Sequence, residues 1–166
     1  IKADGLAAGK GVVIAPDAET AKVAIFEMLS QKRFGDAGAQ IIIEDFIQGE
    51  ELSFIVLCDG EHYISLATSQ DHKARDDNDK GPNTGGMGAY SPAPIASSAM
   101  HAKILSTVIE PTLEGLKSEG TPFKGFLYAG LMISPTGDIH VLEYNTRFGD
   151  PETQPILMRL KSDFAQ

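Results

Sequence analysis

Phe126-Leu127-Tyr128-Ala129-Gly130-Leu131-Met132-Ile133, followed after Ser134-Pro135-Thr136-Gly137-Asp138 by Ile139-His140-Val141-Leu142-Glu143-Tyr144-Asn145, reads as two apolar strands joined by a tight turn. A connection this short joins antiparallel strands, because parallel neighbours need a crossover of a dozen residues or more. Outward from it, Leu52–Cys58, the turn Asp59-Gly60 and His62–Thr68 form a second hairpin, with a short apolar strand at Gln40–Glu44 before the break Phe46-Ile47-Gln48-Gly49. Lys2–Ala15 reads as a glycine-rich hairpin through Gly5, Gly9 and Gly11, returning along Val12-Val13-Ile14. Asp17 caps a predicted helix to about Gln31 that buries Val23, Ala24, Met28 and Leu29. Ser97 or Ser98 caps another, carrying Met100, Ile104 and Val108, kinked at Pro111 and stopped near Gly120. A last helix is predicted over Thr153–Ser162. Residues 69–94 form a polar loop too long for an ordinary connection. The class is α+β with largely antiparallel sheets, and a doubly wound parallel fold is disfavoured.

At 166 residues, folding buries roughly 70% of the unfolded chain's surface. Hydrophobic residues at 42% and charged residues at 22% fit a globular chain rather than a disordered or membrane one. The start, Ile1-Lys2-Ala3-Asp4-Gly5, has neither a signal-peptide pattern nor an initiator methionine, so a piece of a longer chain is expected. Fourteen basic against 23 acidic residues leave a net charge of -9, which argues against nucleic-acid binding by phosphate neutralisation. An anionic ligand then needs backbone N–H groups, placed lysines or divalent cations. The single cysteine, Cys58, forms no internal disulfide, no Cys/His spacing suggests zinc, and a cytoplasmic location is expected.

Four stretches carry candidate chemistry, and each alone also reads as an ordinary surface feature. Gly5-Leu6-Ala7-Ala8-Gly9-Lys10-Gly11 does not match a Walker A loop, but its N–H groups, with Lys2 and Lys10, suit a phosphate. Glu143 and Asn145 share one face of a strand by period-two alternation, and a carboxylate beside an amide carbonyl suits Mg2+. Thr146-Arg147-Phe148-Gly149-Asp150-Pro151-Glu152 adds a guanidinium and two carboxylates at the same strand end. The break at Glu44-Asp45-Phe46-Ile47 leaves backbone groups able to meet a purine edge, and Glu51 suits ribose hydroxyls. Residues 37–61 hold six acids and no Lys or Arg, a pattern that also fits a solvated face. Within the long loop, Lys73 suits a phosphate, and the glycines of Gly81–Pro92 allow close backbone approach.

Taken together, Ile1–Val12, Gln70-Asp71-His72-Lys73, Gly81–Pro94 and Glu143–Gln154 resemble the phosphoribosylamine-glycine ligases, members of the ATP-grasp family. The resemblance runs from residue 1 to about Asp163 and is carried most specifically by Asn83–Pro92 and Arg147–Gln154. It implies an ATP-grasp fold of two α+β subdomains: a lid subdomain over 1–68, incomplete at its N-terminus, and a large subdomain over 69–166. It implies joining of glycine to phosphoribosylamine through a glycyl phosphate, with ATP converted to ADP and phosphate, and small-molecule partners rather than nucleic acid or membrane. Alternatives are another ATP-grasp carboxylate-amine ligase or a non-catalytic nucleotide-binding module.

By the same resemblance, Lys2, Gly5, Gly9, Lys10 and Gly11 would hold phosphates, Glu44, Phe46 and Ile47 adenine, and Glu51 the ribose. Lys73 and Asn83 would lie near the phosphates, Glu143 and Asn145 would bind Mg2+ (or Mn2+), and Arg147 with Lys73 would serve catalysis. Asn83, Thr84, Gly85, Gly86, Met87, Gly88, Asp150 and Glu152 would contact glycine or phosphoribosylamine. Tyr128-Ala129-Gly130-Leu131 stands where many ATP-grasp enzymes carry a further acidic metal ligand. The family's N- and C-terminal domains are missing from this sequence, so the isolated chain is expected to fold but to have little or no ligase activity.

Overall fold

The computed structural model describes residues 1–7, 11–77, 80–84 and 86–164. They form two compact units: Ile1–Ile47 with Ala74–Gly85, and Gln48–Lys73 with Gly86–Gln166. The division expected at residue 68 therefore falls elsewhere. Glu50–Asp59 pairs along its whole length with Lys124–Ile133, which draws it into the second unit.

In the first unit β1 (Lys2–Ala3) pairs antiparallel with β2 (Ile41–Ile42). The returning strand expected at Val12–Ile14 is reduced to one bridge, Lys2 to Val12. Val12 and Ile14 are exposed, so that segment has no apolar face to bury. Gly5 donates its N–H to Ala37 O at 2.9 Å, and a Cβ there would lie 2.5 Å from Ala37 Cα, so a side chain does not fit. Helix α1 (Ala18–Leu29) starts where Asp17 Oδ1 accepts the Thr20 N–H at 2.7 Å. Ala24 and Met28 are buried, but Val23 and Leu29 are exposed, because successive residues point about 100° apart and only the 24/28 stripe turns inward. Lys32, at φ 51°, lies beyond the helix end in a conformation no helix continues through. Strands β6 (Ala74–Asp76) and β7 (Lys80–Asn83) form a hairpin, so part of the expected long loop is ordered.

The second unit is built on a four-stranded antiparallel sheet of β3 (Glu50–Asp59), β4 (Tyr63–Ser65), β9 (Lys124–Ile133) and β10 (Ile139–Asn145), in the order β10-β9-β3-β4. The β3–β4 turn closes with Asp59 N–H to His62 O at 3.1 Å, and Gly60 has φ 101°, so the tip falls on Gly60-Glu61, one residue past expectation. Two backbone N–H groups on the Asp59 carboxylate, from His62 and Glu61, hold its pKa down to about 2. Strands β5 (Gln70–Asp71) and β8 (Ala89–Tyr90) pair, so a second part of the predicted loop is also ordered.

One sheet face buries Leu52, Phe54, Val56, Leu127, Ala129, Leu131 and Ile133 against Ile104, Val108 and Ile109. Those last residues lie on α2 (Ser98–Ile104), a π-helical turn (Leu105–Ile109) and α3 (Glu110–Ser118). The irregularity expected at Pro111 is that π turn: Pro111 has no N–H for the Thr107 carbonyl, and Glu110 N–H reaches back to Leu105 O. Gly120, at φ 78°, ends the segment as predicted. Helix α4 (Thr153–Leu157) stops short of Ser162, in turns closed by Arg159 N–H to Ile156 O and Leu160 N–H to Leu157 O.

The opposite sheet face carries polar chemistry. Glu51 pairs with Met132, Ser53 with Gly130 and Ile55 with Tyr128, and across β9 Gly130 faces Glu143 and Tyr128 faces Asn145. Paired residues share a face, so Glu51, Ser53, Tyr128, Glu143 and Asn145 stand on one side of three strands.

Candidate functional site

On β10 a bulge at Leu142 shifts the register between Val141 and Glu143. Strict alternation does not foresee this extra residue, and bulges of this kind re-aim the side chains beyond them. Glu143 and Asn145 nevertheless stay together, with Asn145 Nδ2 3.4 Å from Glu143 Oε1. Glu51, Ser53, Lys73, Tyr128, Gly130 and Glu143 line a single cleft. Lys73 Nζ lies 3.0 Å from Glu51 Oε2. Burial alone would lower the Lys73 pKa, but the carboxylate of Glu51, helped by Glu143 and Asp71, outweighs it and leaves the ammonium's pKa raised.

Asp71, which the motif reading left without a role, lies in the same segment, and its Oδ1 is buried without a hydrogen-bond partner among the described residues. Burial first, then the nearby Glu152 charge, raises its pKa to about 6, with Lys73 opposing. Its folded pKa thus exceeds the ordinary 3.8, so the folded state holds the proton more tightly. The ionised carboxylate costs stability at neutral pH, and that cost fades as pH falls from about 6 towards 4. After discounting for partial solvent screening, Asp71→Asn in the intact protein should gain roughly 1 kcal/mol at pH 7.5 and nothing near pH 4. Melting curves at both pH values check this, and an equal effect at both would exclude the assignment.

Glu152, which the resemblance places against glycine or phosphoribosylamine, is 3% exposed and lies inside the fold. Its Oε1 accepts hydrogen bonds from Ser53 Oγ at 2.9 Å and Tyr128 Oη at 2.8 Å, and those hydroxyls lie 2.9 Å apart. Burial, with the neighbouring Glu152 charge, raises the Tyr128 pKa, so the phenol stays protonated. Ser53 and Tyr128 were not singled out from sequence, although the Tyr128–Leu131 stretch was noted for lacking an acid. Arg147 is exposed and donates from Nη1 to the Phe148 carbonyl at 2.9 Å, while Asp150 is exposed. Gly86 and Gly88 take φ of 119° and 133°, with the Met87 side chain exposed between them. Met87 N–H donates to His72 O at 2.7 Å, and His72 N–H to Gly88 O at 3.0 Å, which ties this glycine segment to the strand leading to Lys73.

Within the first unit, Lys2 Nζ lies 3.8 Å from Glu44 Oε1, which joins the predicted phosphate lysine to the predicted adenine-side acid. Phe46 is exposed and Ile47 partly so, both outside any strand, and Gly11 is buried. Asn83 pairs through its backbone with Ala74, and Thr84 is partly buried. Gly9, Lys10 and Gly85 lie outside the described residues.

Among the described residues no group of three or more His, Cys, Asp or Glu forms a metal cage. The donors on β10, one carboxylate and one carboxamide, are hard oxygens held side by side in an open arrangement, which fits a cation such as Mg2+ that keeps waters and substrate oxygens in its shell. No helix among the described residues is long and apolar enough to cross a membrane.

A family model described as phosphoribosylglycinamide synthetase, ATP-grasp (A) domain, matches residues 1–153. Curated relatives include a phosphoribosylamine--glycine ligase of Allochromatium vinosum, 61% identical over all of this chain and 39% of the relative. Another, of the same name, from Vibrio parahaemolyticus, is 60% identical over 98% of this chain and 38% of its own length. The chain thus spans about 39% of the length of such relatives. Among solved structures, the phosphoribosylamine--glycine ligase of Thermotoga maritima is similar with TM-score 0.74 and 37% identity, over 95% of this chain and 39% of that one. A biotin carboxylase from Campylobacter jejuni, 18% identical with TM-score 0.63 over 93% of this chain and 32% of that one, shares the fold.

Proposed function

Because the chain belongs to the phosphoribosylglycinamide synthetase ATP-grasp (A) domain family, we propose that it forms the nucleotide-handling part of an ATP-dependent ligase that joins glycine to 5-phosphoribosylamine in purine biosynthesis. The observation that carries the reading is the shared sheet face on which Glu143 and Asn145 stand beside the Lys73–Glu51 ion pair. A glycine carboxylate oxygen takes the γ-phosphoryl group of ATP, the bond to the bridging oxygen breaks, and glycyl phosphate and ADP result. The amine of phosphoribosylamine then attacks the acyl carbon, phosphate leaves, and the amine gives up a proton. The protein's work is to hold reactants in line and to offset charge on the moving phosphoryl group.

In this reading the first unit is the lid and the second the large subdomain. Lys2, Gly5 and Gly11 would hold phosphates, while Glu44, Phe46 and Ile47 would receive adenine. Glu51 gives one oxygen to Lys73 and keeps the other for the ribose. Lys73 and Asn83 meet phosphate oxygens, and Arg147 leaves its local carbonyl to meet transition-state charge. Glu143 and Asn145 would hold Mg2+, for which Mn2+ substitutes, and the bound cation screens the phosphate oxygens from one another. Asn83, Thr84, Gly86, Met87, Gly88 and Asp150 would contact glycine or phosphoribosylamine. The partners are small molecules, and the compartment is the cytoplasm.

Calorimetric titration of the intact protein with ATP, with and without Mg2+, should show binding at least about tenfold tighter with the cation, the order expected if Glu143 and Asn145 hold a divalent cation beside the nucleotide. ADP release should require glycine and phosphoribosylamine together. Release that proceeds without either one would rule this reading out.

A further inference from the structure

We propose that Ser53, Tyr128 and Glu152 form a buried positioning network that fixes the Glu143 carboxylate for the cation, Glu152 serving the site by holding two hydroxyls on the same sheet face rather than by touching a ligand. The inference rests on the ligase reading above. All three residues are at most 5% exposed, and their hydroxyl and carboxylate oxygens lie within 2.9 Å of one another. They come from three separate elements, β3, β9 and the start of α4, so the carboxylate ties the Arg147–Glu152 turn to two strands. A buried carboxylate is a costly way to fill space that an apolar side chain would fill without desolvating a charge. What it supplies instead is a fixed orientation for the two hydroxyls.

The path from this network to the metal ligands is short. Tyr128 stands in register with Asn145, and Gly130 with Glu143. A Cβ at Gly130 would lie 3.3 Å from Glu143 Cγ and 3.4 Å from Tyr128 Cε1. The stem of Glu143 and the edge of the Tyr128 ring therefore flank Gly130, a β9 position that has no side chain. Both residues line the same cleft. With its hydroxyl held by Glu152 and Ser53, the ring is restrained on the side of Gly130 opposite the Glu143 stem. Outer partners of metal ligands commonly change metal affinity by about 10–100-fold when removed.

Tyr128→Phe removes one hydroxyl and keeps the ring, and Glu152→Gln keeps the shape and removes the charge. In the intact protein, Mn2+ binding in the presence of a non-hydrolysable ATP analogue is read by electron paramagnetic resonance of the free ion. Each variant should weaken Mn2+ binding about tenfold and raise the half-saturating Mg2+ for ADP release by a similar factor. Metal-free nucleotide affinity and the rate at saturating Mg2+ should stay within about twofold of wild type, a split that lost packing alone does not produce. If Tyr128→Phe lowers the melting temperature but leaves Mn2+ affinity within twofold, the network is only structural and the proposal is wrong. If the wild-type protein itself shows no nucleotide-dependent Mn2+ binding, the ligase reading falls first and the network's role with it.

Discussion

Glu143→Ala in the intact protein is expected to cut ATP-dependent turnover by about 10³-fold or more. A cation at transferring phosphoryl oxygens supplies several kcal/mol of transition-state stabilisation, and about 4 kcal/mol corresponds to that factor. Glu143 is the carboxylate of the adjacent β10 pair, so its loss should remove most of the pair's attraction for a cation. The variant also has a signature that mere damage does not reproduce. Without Mg2+, a carboxylate facing a triphosphate repels it, so Glu143→Ala should bind metal-free ATP at least as tightly as wild type while losing the tightening that Mg2+ brings. Asn145→Ala, which removes a neutral carbonyl donor, should weaken metal-dependent binding by a smaller factor, about 10–100-fold. Calorimetry with and without Mg2+ separates these outcomes, and unchanged turnover in Glu143→Ala would remove this residue from the chemistry.

The pairing of Glu143 with Asn145 was legible because alternation along a strand is local, and because the tight turn at 134–138 already implied an antiparallel hairpin. The bulge at Leu142 was not legible, since it depends on how β10 meets β9 rather than on anything β10 encodes alone. The same division runs through the rest of the molecule. Caps at Asp17 and Ser97 and the stop at Gly120 are short-range features, and each is present. The division into compact units was not legible, because the partner of β3 is a strand that begins at Lys124, far along the chain. Glu152 was read as a ligand contact from its place in a charged strand-end segment. Its burial is set by Tyr128 and Ser53, 24 and 99 residues away, and no sequence period links them. The Lys73–Glu51 pair likewise joined two residues that had been assigned to different ligand groups.

Gly149→Ala should destabilise the second unit by about 3 kcal/mol, and the reason lies in the same buried carboxylate. Gly149 is not among the residues with positive φ, so the constraint is space rather than backbone conformation. A Cβ there would press onto the Glu152 carboxylate, with Cδ at 2.6 Å and Tyr128 Cε2 at 3.0 Å. Glu152 cannot yield cheaply, because Oε1 is held by two hydroxyls from two strands. Relief must come either from breaking a buried hydrogen bond to a charge, at roughly 1.5–3 kcal/mol, or from moving the turn that carries Arg147 and Asp150. A double-mutant cycle isolates the cause. In a Glu152→Ala background the clash with the carboxylate is gone, only the 3.0 Å approach to the Tyr128 ring edge remains, and the Ser53 and Tyr128 hydroxyls can still bond each other at 2.9 Å. Adding Gly149→Ala there should cost less than about 1 kcal/mol, leaving a coupling of about 2 kcal/mol between the two sites. Denaturant unfolding of the four proteins measures it, and a Gly149→Ala cost that is the same in both backgrounds would show that the glycine is needed for something other than room for Glu152.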